Sequence, residues 1–176
     1  MQRWGMLFLL AACVIGVAGC GDDDDGPTAP SNQPLVFTAN LSSANEVPAV
    51  SNAEAGANGT ATVTLTPTRD SSNAITGGTF RFQFTVRGLT NTSNITLAHI
   101  HTGAAGVNGG IVVNSLLSAA TSIPTPAGTA SFERADLSAD SAATVSAIVA
   151  NPSAFYFNVH TSLNPGGAVR GQLAAQ

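Results

Sequence analysis

A strict alternation of apolar and polar side chains constrains the fold more than any other feature of this sequence. From residue 80 the chain reads F-R-F-Q-F-T-V-R, with apolar side chains at even positions and polar ones at odd positions. Side chains of a β-strand point alternately to the two faces of a sheet, so this segment predicts a strand with one buried face and one solvent-exposed face. Such half-buried strands are typical of antiparallel sheets.

Seven other segments add to the predicted sheet. T-A-T-V-T-L-T from residue 60 alternates in the same way, and further strands are expected near residues 35–41, 95–102, 110–117, 128–134, 154–161 and 167–174. Asn58-Gly59 and Asn108-Gly109 are typical of tight turns, because both residue types tolerate positive φ. About eight short strands predict an all-β fold, a Greek-key or immunoglobulin-like β-sandwich.

One segment breaks the two-residue period. Between Ser138 and Ala150, apolar side chains recur at helical spacing, and Pro152 follows the last of them. Ser138 is the expected N-cap, and Asp140 suits the first turn of a helix. We therefore predict one short helix that connects two strands.

The first 19 residues have the pattern of a secretory signal peptide. Arg3 gives a positive start, residues 4–18 are almost wholly apolar, and V-A-G-C ends at Cys20. This ending resembles a bacterial lipobox, which predicts cleavage before Cys20 and lipid attachment to its thiol. A plain cleaved signal and an uncleaved anchor are the alternatives.

Residues 20–34 are predicted to form an acidic, flexible tether, and residues 35–176 a single domain. The tether holds four consecutive aspartates and several proline and glycine residues, which disfavour regular structure. The predicted domain has no cysteine and no lysine, and its five arginines nearly balance its six acids. No basic face is available for a nucleic acid, so nucleic-acid partners are not expected.

All three histidines lie in two short blocks, L-A-H-I-H-T-G and Y-F-N-V-H-T. His99 and His101 share one face of their predicted strand, and strand parity places His160 on the same outer face, away from the core. Three imidazoles are a sufficient donor set for a transition metal, and copper and zinc both suit them. The alternative is a polar structural network. The glycines of residues 103–110 would suit a loop that folds back over this face.

Four further residues are candidates for supporting roles around the histidines. Tyr156 and Asn158 share the predicted face with His160, and Glu46 and Arg170 lie in other polar segments. Metal-bound histidines usually donate their second ring N–H to such a partner. Arg170 is expected either to pair with Glu46 or to cap a turn. The sequence has no nucleophile-elbow, phosphate-loop or dinucleotide motif, so no catalytic residue is assigned.

Three blocks together resemble the CHRD domain, first described in chordin and also present in bacterial secreted proteins. They are L-S-S-A-N-E-V-P from Leu41, L-A-H-I-H-T-G-A-A-G-V-N-G-G from Leu97, and Y-F-N-V-H-T-S-L-N-P-G-G-A-V-R-G-Q-L from Tyr156. The resemblance implies an extracellular β-sandwich without established enzymatic activity. The chain departs from the family at Ala168, where an acidic residue is frequent, which weakens any ion pair between that position and Arg170.

The H-x-H pair is also similar to that of Cu/Zn superoxide dismutase, which is a Greek-key barrel, so a superoxide-dismutase-like fold is a further expectation for this chain. That enzyme's further metal-binding histidines and its disulfide have no counterpart here. We therefore expect a non-catalytic, lipid-anchored CHRD module of a bacterial envelope that faces the periplasm or the cell exterior. It would bind an extracellular protein, a surface polymer or a metal. A small copper-dependent redox enzyme and a purely structural envelope protein are the alternatives.

Overall fold

The computed structural model describes residue 1 and residues 31–176. The predicted signal peptide (1–19), the lipidated Cys20 and most of the tether (20–34) lie outside the described residues. Residues 31–34 are exposed and have no regular structure, and the first strand begins at Leu35.

Ten strands, one helix and three short 3₁₀ turns make up the described domain. The strands are β1 Leu35–Ser42, β2 Asn58–Arg69, β3 Ile75–Arg87, β4 Asn94–Thr102, β5 Ile111–Asn114, β6 Ile123–Pro124, β7 Thr129–Ser138, β8 Phe155–Thr161, β9 Val169–Gln172 and β10 Ala174–Ala175. The helix is α1 Ala142–Ala150, and the 3₁₀ turns are Ser43–Asn45, Ala119–Thr121 and Pro152–Ala154.

The strands form one antiparallel sheet in the order β5-β4-β8-β9-β1-β2-β3-β7, with β6 paired to β4 and β10 paired to β1. The sheet rolls until its two edges nearly meet. An isolated bridge joins Val113 to Ala139, and Asp140 N–H donates to the Val112 carbonyl at 2.9 Å. The predicted all-β fold with a single helix is confirmed; the count rises from about eight to ten because two strands have only two residues.

The alternating segment of β3 supplies the centre of the core. Phe80, Phe82, Phe84 and Val86 are all buried, whereas the odd-numbered residues between them are exposed. Phe82 meets Phe157 of β8 edge to face, with ring centroids 4.9 Å apart, a favourable aromatic geometry. This contact packs β3 against β8 across the interior of the rolled sheet.

The predicted turn at Asn58-Gly59 is wrong. Both residues open β2 and pair with Arg87 and Val86 of β3. A Cβ at position 59 would overlap the Thr85 carbonyl oxygen, so glycine is needed here because two backbones approach closely, a role distinct from turn formation.

The predicted helix begins too early. Ser138 still belongs to β7, where it pairs with Thr79, and α1 starts at Ala142 with Ser141 as its N-cap. Ser141 Oγ accepts a hydrogen bond from Thr144 N–H at 3.1 Å. Strand pairing extends to Ser138 because its neighbour β3 is long enough to continue the ladder.

No helix within the described part of the chain has the length and apolar character required to cross a bilayer.

Candidate metal centre

The three histidines converge on the outer face of the rolled sheet. One ring nitrogen of each lies within 4.8 Å of a ring nitrogen of both others. β4 supplies His99 and His101, and its neighbour β8 supplies His160, whose cross-strand partner is Leu97. Ile100, between the two histidines of β4, is fully buried in the core on the opposite face. The cluster that strand parity predicts is therefore present.

Although they lie on the outer face, the three imidazoles are buried. His99, His101 and His160 are 2%, 8% and 6% exposed. Two loops cover them: residues 103–110, as the glycine-rich sequence predicts, and residues 162–167, which the sequence did not indicate. Asn108 Nδ2 donates to the Val47 carbonyl at 2.9 Å and joins the first loop to the segment after β1. The histidines thus lie between the sheet and a cover made of loops.

Each loop fixes one imidazole through a backbone carbonyl. His101 Nδ1 lies 3.1 Å from the Gly109 oxygen, and His160 Nδ1 lies 2.9 Å from the Pro165 oxygen. A carbonyl only accepts a hydrogen bond, so both Nδ1 atoms carry the proton and both Nε2 atoms keep a free lone pair. Backbone carbonyls are common orienting partners of metal-bound histidines.

The two free lone pairs are used differently. His160 Nε2 lies 3.3 Å from His99 Nδ1, so it accepts a hydrogen bond from that nitrogen. His101 Nε2 is buried and has no hydrogen-bond partner. Leaving a buried acceptor without a partner costs about 1–3 kcal/mol, and a metal ion would satisfy it.

All three imidazoles are held in the neutral form that a metal requires. Burial, together with the neighbouring His160 and His101, lowers the pKa of His99 to about 4. Burial also lowers the pKa of His101, where the hydrogen bond to Gly109 opposes the shift and Arg170 adds to it. The pKa of His160 is lowered as well, chiefly by burial, against the hydrogen bond to Pro165.

Tyr156 and Arg170 extend the cluster sideways across the sheet. The Tyr156 ring stacks on His101 with centroids 4.9 Å apart, and the guanidinium carbon of Arg170 lies 4.7 Å from the centroid of the same ring. The Tyr156 hydroxyl accepts a hydrogen bond from Gly109 N–H at 3.3 Å. Tyr156 therefore contacts His101 and also the loop residue that orients it.

Glu46, Asn158 and Arg170 form a polar group beside the histidines. Arg170 Nε lies 3.7 Å from Glu46 Oε2, with both side chains buried, and it also donates to the Asn45 carbonyl at 2.6 Å. Burial raises the pKa of Glu46 to about 7, although Arg170 and a hydrogen bond from Asn158 oppose the shift. Among the described residues, no hydrogen bond joins these three side chains to an imidazole nitrogen. Arg170 Nη1 instead donates to Asn108 Oδ1 at 2.9 Å and so holds the first covering loop.

No sequence pattern singled out Glu54, which is 0% exposed. Its Oε2 accepts hydrogen bonds from Thr161 Oγ1 and Asn164 Nδ2, both at 2.7 Å. Burial alone would raise the pKa of Glu54, but these hydrogen bonds, with one from Thr90 N–H, outweigh it and leave the pKa below its usual value. Thr161 follows His160 and Asn164 precedes Pro165, so Glu54 fastens the turn that presents the Pro165 carbonyl to His160.

A rolled antiparallel sheet with a covered three-histidine cluster defines an all-β module with a candidate metal centre. The family profile of the CHRD domain matches residues 37–173, a span that includes the three histidines, Glu46, Glu54 and Arg170. The chain belongs to the CHRD domain family. Neither the curated proteins nor the solved structures gave a significant match.

Proposed function

We propose that this chain is a non-catalytic, extracytoplasmic binding module of the CHRD family that holds one copper or zinc ion. His99, His101 and His160 would be its ligands. One observation carries the metal proposal: His101 Nε2 is buried and lacks a hydrogen-bond partner, in a cluster of three histidines whose ring nitrogens lie close together.

A purely structural histidine network explains this arrangement less well. Such a network would pair each buried nitrogen with a donor or an acceptor, because buried polar groups are normally hydrogen-bonded. Here the loop carbonyls hold both Nδ1 atoms of His101 and His160 and leave their Nε2 atoms without a proton. His99 Nδ1 donates to His160 Nε2, and a bound cation would replace that proton.

A binding role fits the site better than a redox enzyme does. Metal catalysis needs an open coordination position that a substrate can reach, whereas these imidazoles are almost completely covered. The metal would then stabilise the covering loops. Val107 and Leu163, one on each covering loop, are exposed, as is Val47 on the adjoining segment after β1, which supports contact with an extracellular protein or a surface polymer.

We further propose that the protein is held outside the cytoplasm by a lipid anchor. V-A-G-C supports lipid attachment at Cys20, and the acidic segment that follows supports a tether that holds the domain away from a bacterial membrane. We expect the mature chain to carry a mass increment on its N-terminal cysteine in intact-mass spectrometry, and Cys20→Ala to remove both the increment and the chain's sedimentation with membranes. An unmodified mature chain would refute the anchor.

Metal analysis tests the metal proposal. The full chain, loaded with Zn²⁺ or copper and then freed of excess ion, should retain one equivalent per chain by elemental analysis. His101→Ala should retain none while keeping its far-ultraviolet circular dichroism, and Gln83→Ala, on the exposed face of β3, should behave like the wild type. A folded wild-type chain that retains neither metal would rule out the metal role.

A further inference from the structure

We infer that the ion for which this site is built is Cu(I). This inference rests on the proposed metal function and names the ion that the same three histidines select. It follows from the number of donors, from their charge and from the closure of the site.

The number of donors is three. No aspartate, glutamate or cysteine joins the histidine cluster in the described part of the chain. Zinc takes four protein ligands in structural sites, and three protein ligands with a water molecule in catalytic sites. Cu(I) is also a d¹⁰ ion, but it is stable with three imidazole ligands in a plane. A set of three histidines without a fourth donor therefore fits Cu(I) better than Zn²⁺.

The charge of the site points the same way. The donors are imidazoles without a net charge, and the buried ionisable neighbours, Glu46 and Arg170, face each other at 3.7 Å. A dication would bring two uncompensated positive charges into a buried site, whereas Cu(I) brings one. Because the cost of moving an ion out of water rises with the square of its charge, this desolvation penalty is about four times larger for Zn²⁺ or Cu²⁺.

The site is closed to solvent, so a dication cannot gain a water or hydroxide ligand there to lower its desolvation penalty. Zn²⁺ or Cu²⁺ would keep a water or hydroxide as a further ligand. The Nε2 atom of His101, where an ion would bind, is closed to solvent. His101 is the most exposed of the three histidines and is only 8% exposed. The stacked Tyr156 ring and the Gly109 carbonyl close its flank.

The geometry also needs little adjustment. His99 Nδ1 and His160 Nε2 are 3.3 Å apart, close to the separation of about 3.5 Å expected for two nitrogens bound at roughly 2.0 Å to one trigonal ion. The third imidazole completes the triangle with nitrogen separations within 4.8 Å. A movement of His101 toward the other two rings would shorten these separations to the values of a trigonal site. No hydrogen bond to His101 Nε2 would have to break, because this atom has no partner.

Competition titrations of the full chain compare its affinities for Cu(I), Zn²⁺ and Cu²⁺. Under anaerobic conditions the chain is titrated with Cu(I) against a colorimetric Cu(I) chelator, and separately with Zn²⁺ and Cu²⁺ against matched chelators. We expect one Cu(I) per chain, bound at least about 100-fold more tightly than Zn²⁺. X-ray absorption of the Cu(I) form should show three nitrogen scatterers. His160→Gln should abolish this binding, and Gln83→Ala should leave it unchanged.

The outcomes distinguish this inference from the function on which it rests. Zn²⁺ or Cu²⁺ binding as tight as Cu(I) binding, or a fourth scatterer in the Cu(I) form, overturns the assignment to Cu(I) and leaves a metal-binding module. Failure of a folded chain to bind any of the three ions overturns both.

Discussion

The imidazole of His101 lies parallel to the phenol ring of Tyr156, with the two planes only 6° apart. The two residues are direct cross-strand partners on β4 and β8. Gly109 also links the two rings, because its carbonyl accepts a hydrogen bond from the imidazole and its N–H donates one to the phenol oxygen. One loop residue therefore holds both rings, and the orientation of His101 depends on the exact path of that loop.

Substitution of Gly109 by alanine should weaken metal binding. A Cβ at position 109 would overlap the Thr102 carbonyl oxygen, so the loop would have to move away from His101 and Tyr156. We expect Gly109→Ala to lower metal affinity about 10–100-fold, the usual effect of losing an orienting partner. Gly110→Ala is the matched control, since nothing lies within 4 Å of its added Cβ. Equal affinities of the two variants would contradict this role of the loop.

Glu54 should matter for both stability and metal affinity. In Glu54→Gln an amide replaces a carboxylate that accepts hydrogen bonds from Thr161 and Asn164. We expect the free energy of unfolding to fall by about 1–3 kcal/mol in urea titrations, and metal affinity to fall about 10–100-fold because the Pro165 carbonyl is no longer held against His160.

The matched control for Glu54 is Glu133→Gln. Glu133 pairs with Arg81 on the surface, where both side chains are about half exposed. Its substitution should change the free energy of unfolding by less than about 1 kcal/mol and leave the metal site intact. A Glu54→Gln variant that binds metal like the wild type would show that the turn does not orient His160.

The ion pair between Glu46 and Arg170 should show strong coupling in a double-mutant cycle. At pH 8.5, above the raised pKa of Glu46, Arg170→Leu leaves the buried carboxylate without its counter-charge, and we expect it to lower the free energy of unfolding by about 3–5 kcal/mol. Glu46→Leu leaves the buried guanidinium of Arg170 without its counter-charge and should also lower the free energy of unfolding. The double variant should lose clearly less than the sum of the two single losses. Additive losses would mean that the two side chains do not interact.

Acid should destabilise the metal-free fold through the histidines. The pKa of His99 is 6.5 unfolded and about 4 folded, so the unfolded chain binds the extra proton between these values. The stability is therefore present above pH 6.5 and is lost as the pH falls toward 4, by about 3 kcal/mol for this residue. His101 and His160 shift in the same direction, whereas Glu46, whose pKa is raised to about 7, contributes a smaller slope of opposite sign. Urea titrations from pH 7.5 to 4 should show this slope, and His99→Gln should reduce it; an unchanged slope would argue against buried neutral imidazoles.

The sequence predicted those parts of the structure that depend on local periodicity. The two-residue period of β3 identified its buried face, and the parity of β4 and β8 placed three imidazoles on one face of the sheet. Both predictions need only the alternation of side chains along a strand.

Features set by distant segments were not predictable in this way. Glu54 is 107 residues from Thr161 along the chain, and no pattern near Glu54 indicates that partner. Ser138 has the chemistry of an N-cap, yet pairing with Thr79 keeps it in β7. Gly59 looks like a turn residue, but it serves the close approach of two strands. In each case a tertiary contact outweighs the local preference of the residue.

Anomalous diffraction from crystals of the metal-loaded chain tests the central claim most directly. Data collected at the absorption edge of the bound metal should place one ion within about 2.1 Å of a nitrogen from each of His99, His101 and His160. An ion located elsewhere on the chain, or loaded crystals in which His99 and His160 keep their hydrogen bond without an anomalous peak among the three rings, would contradict it.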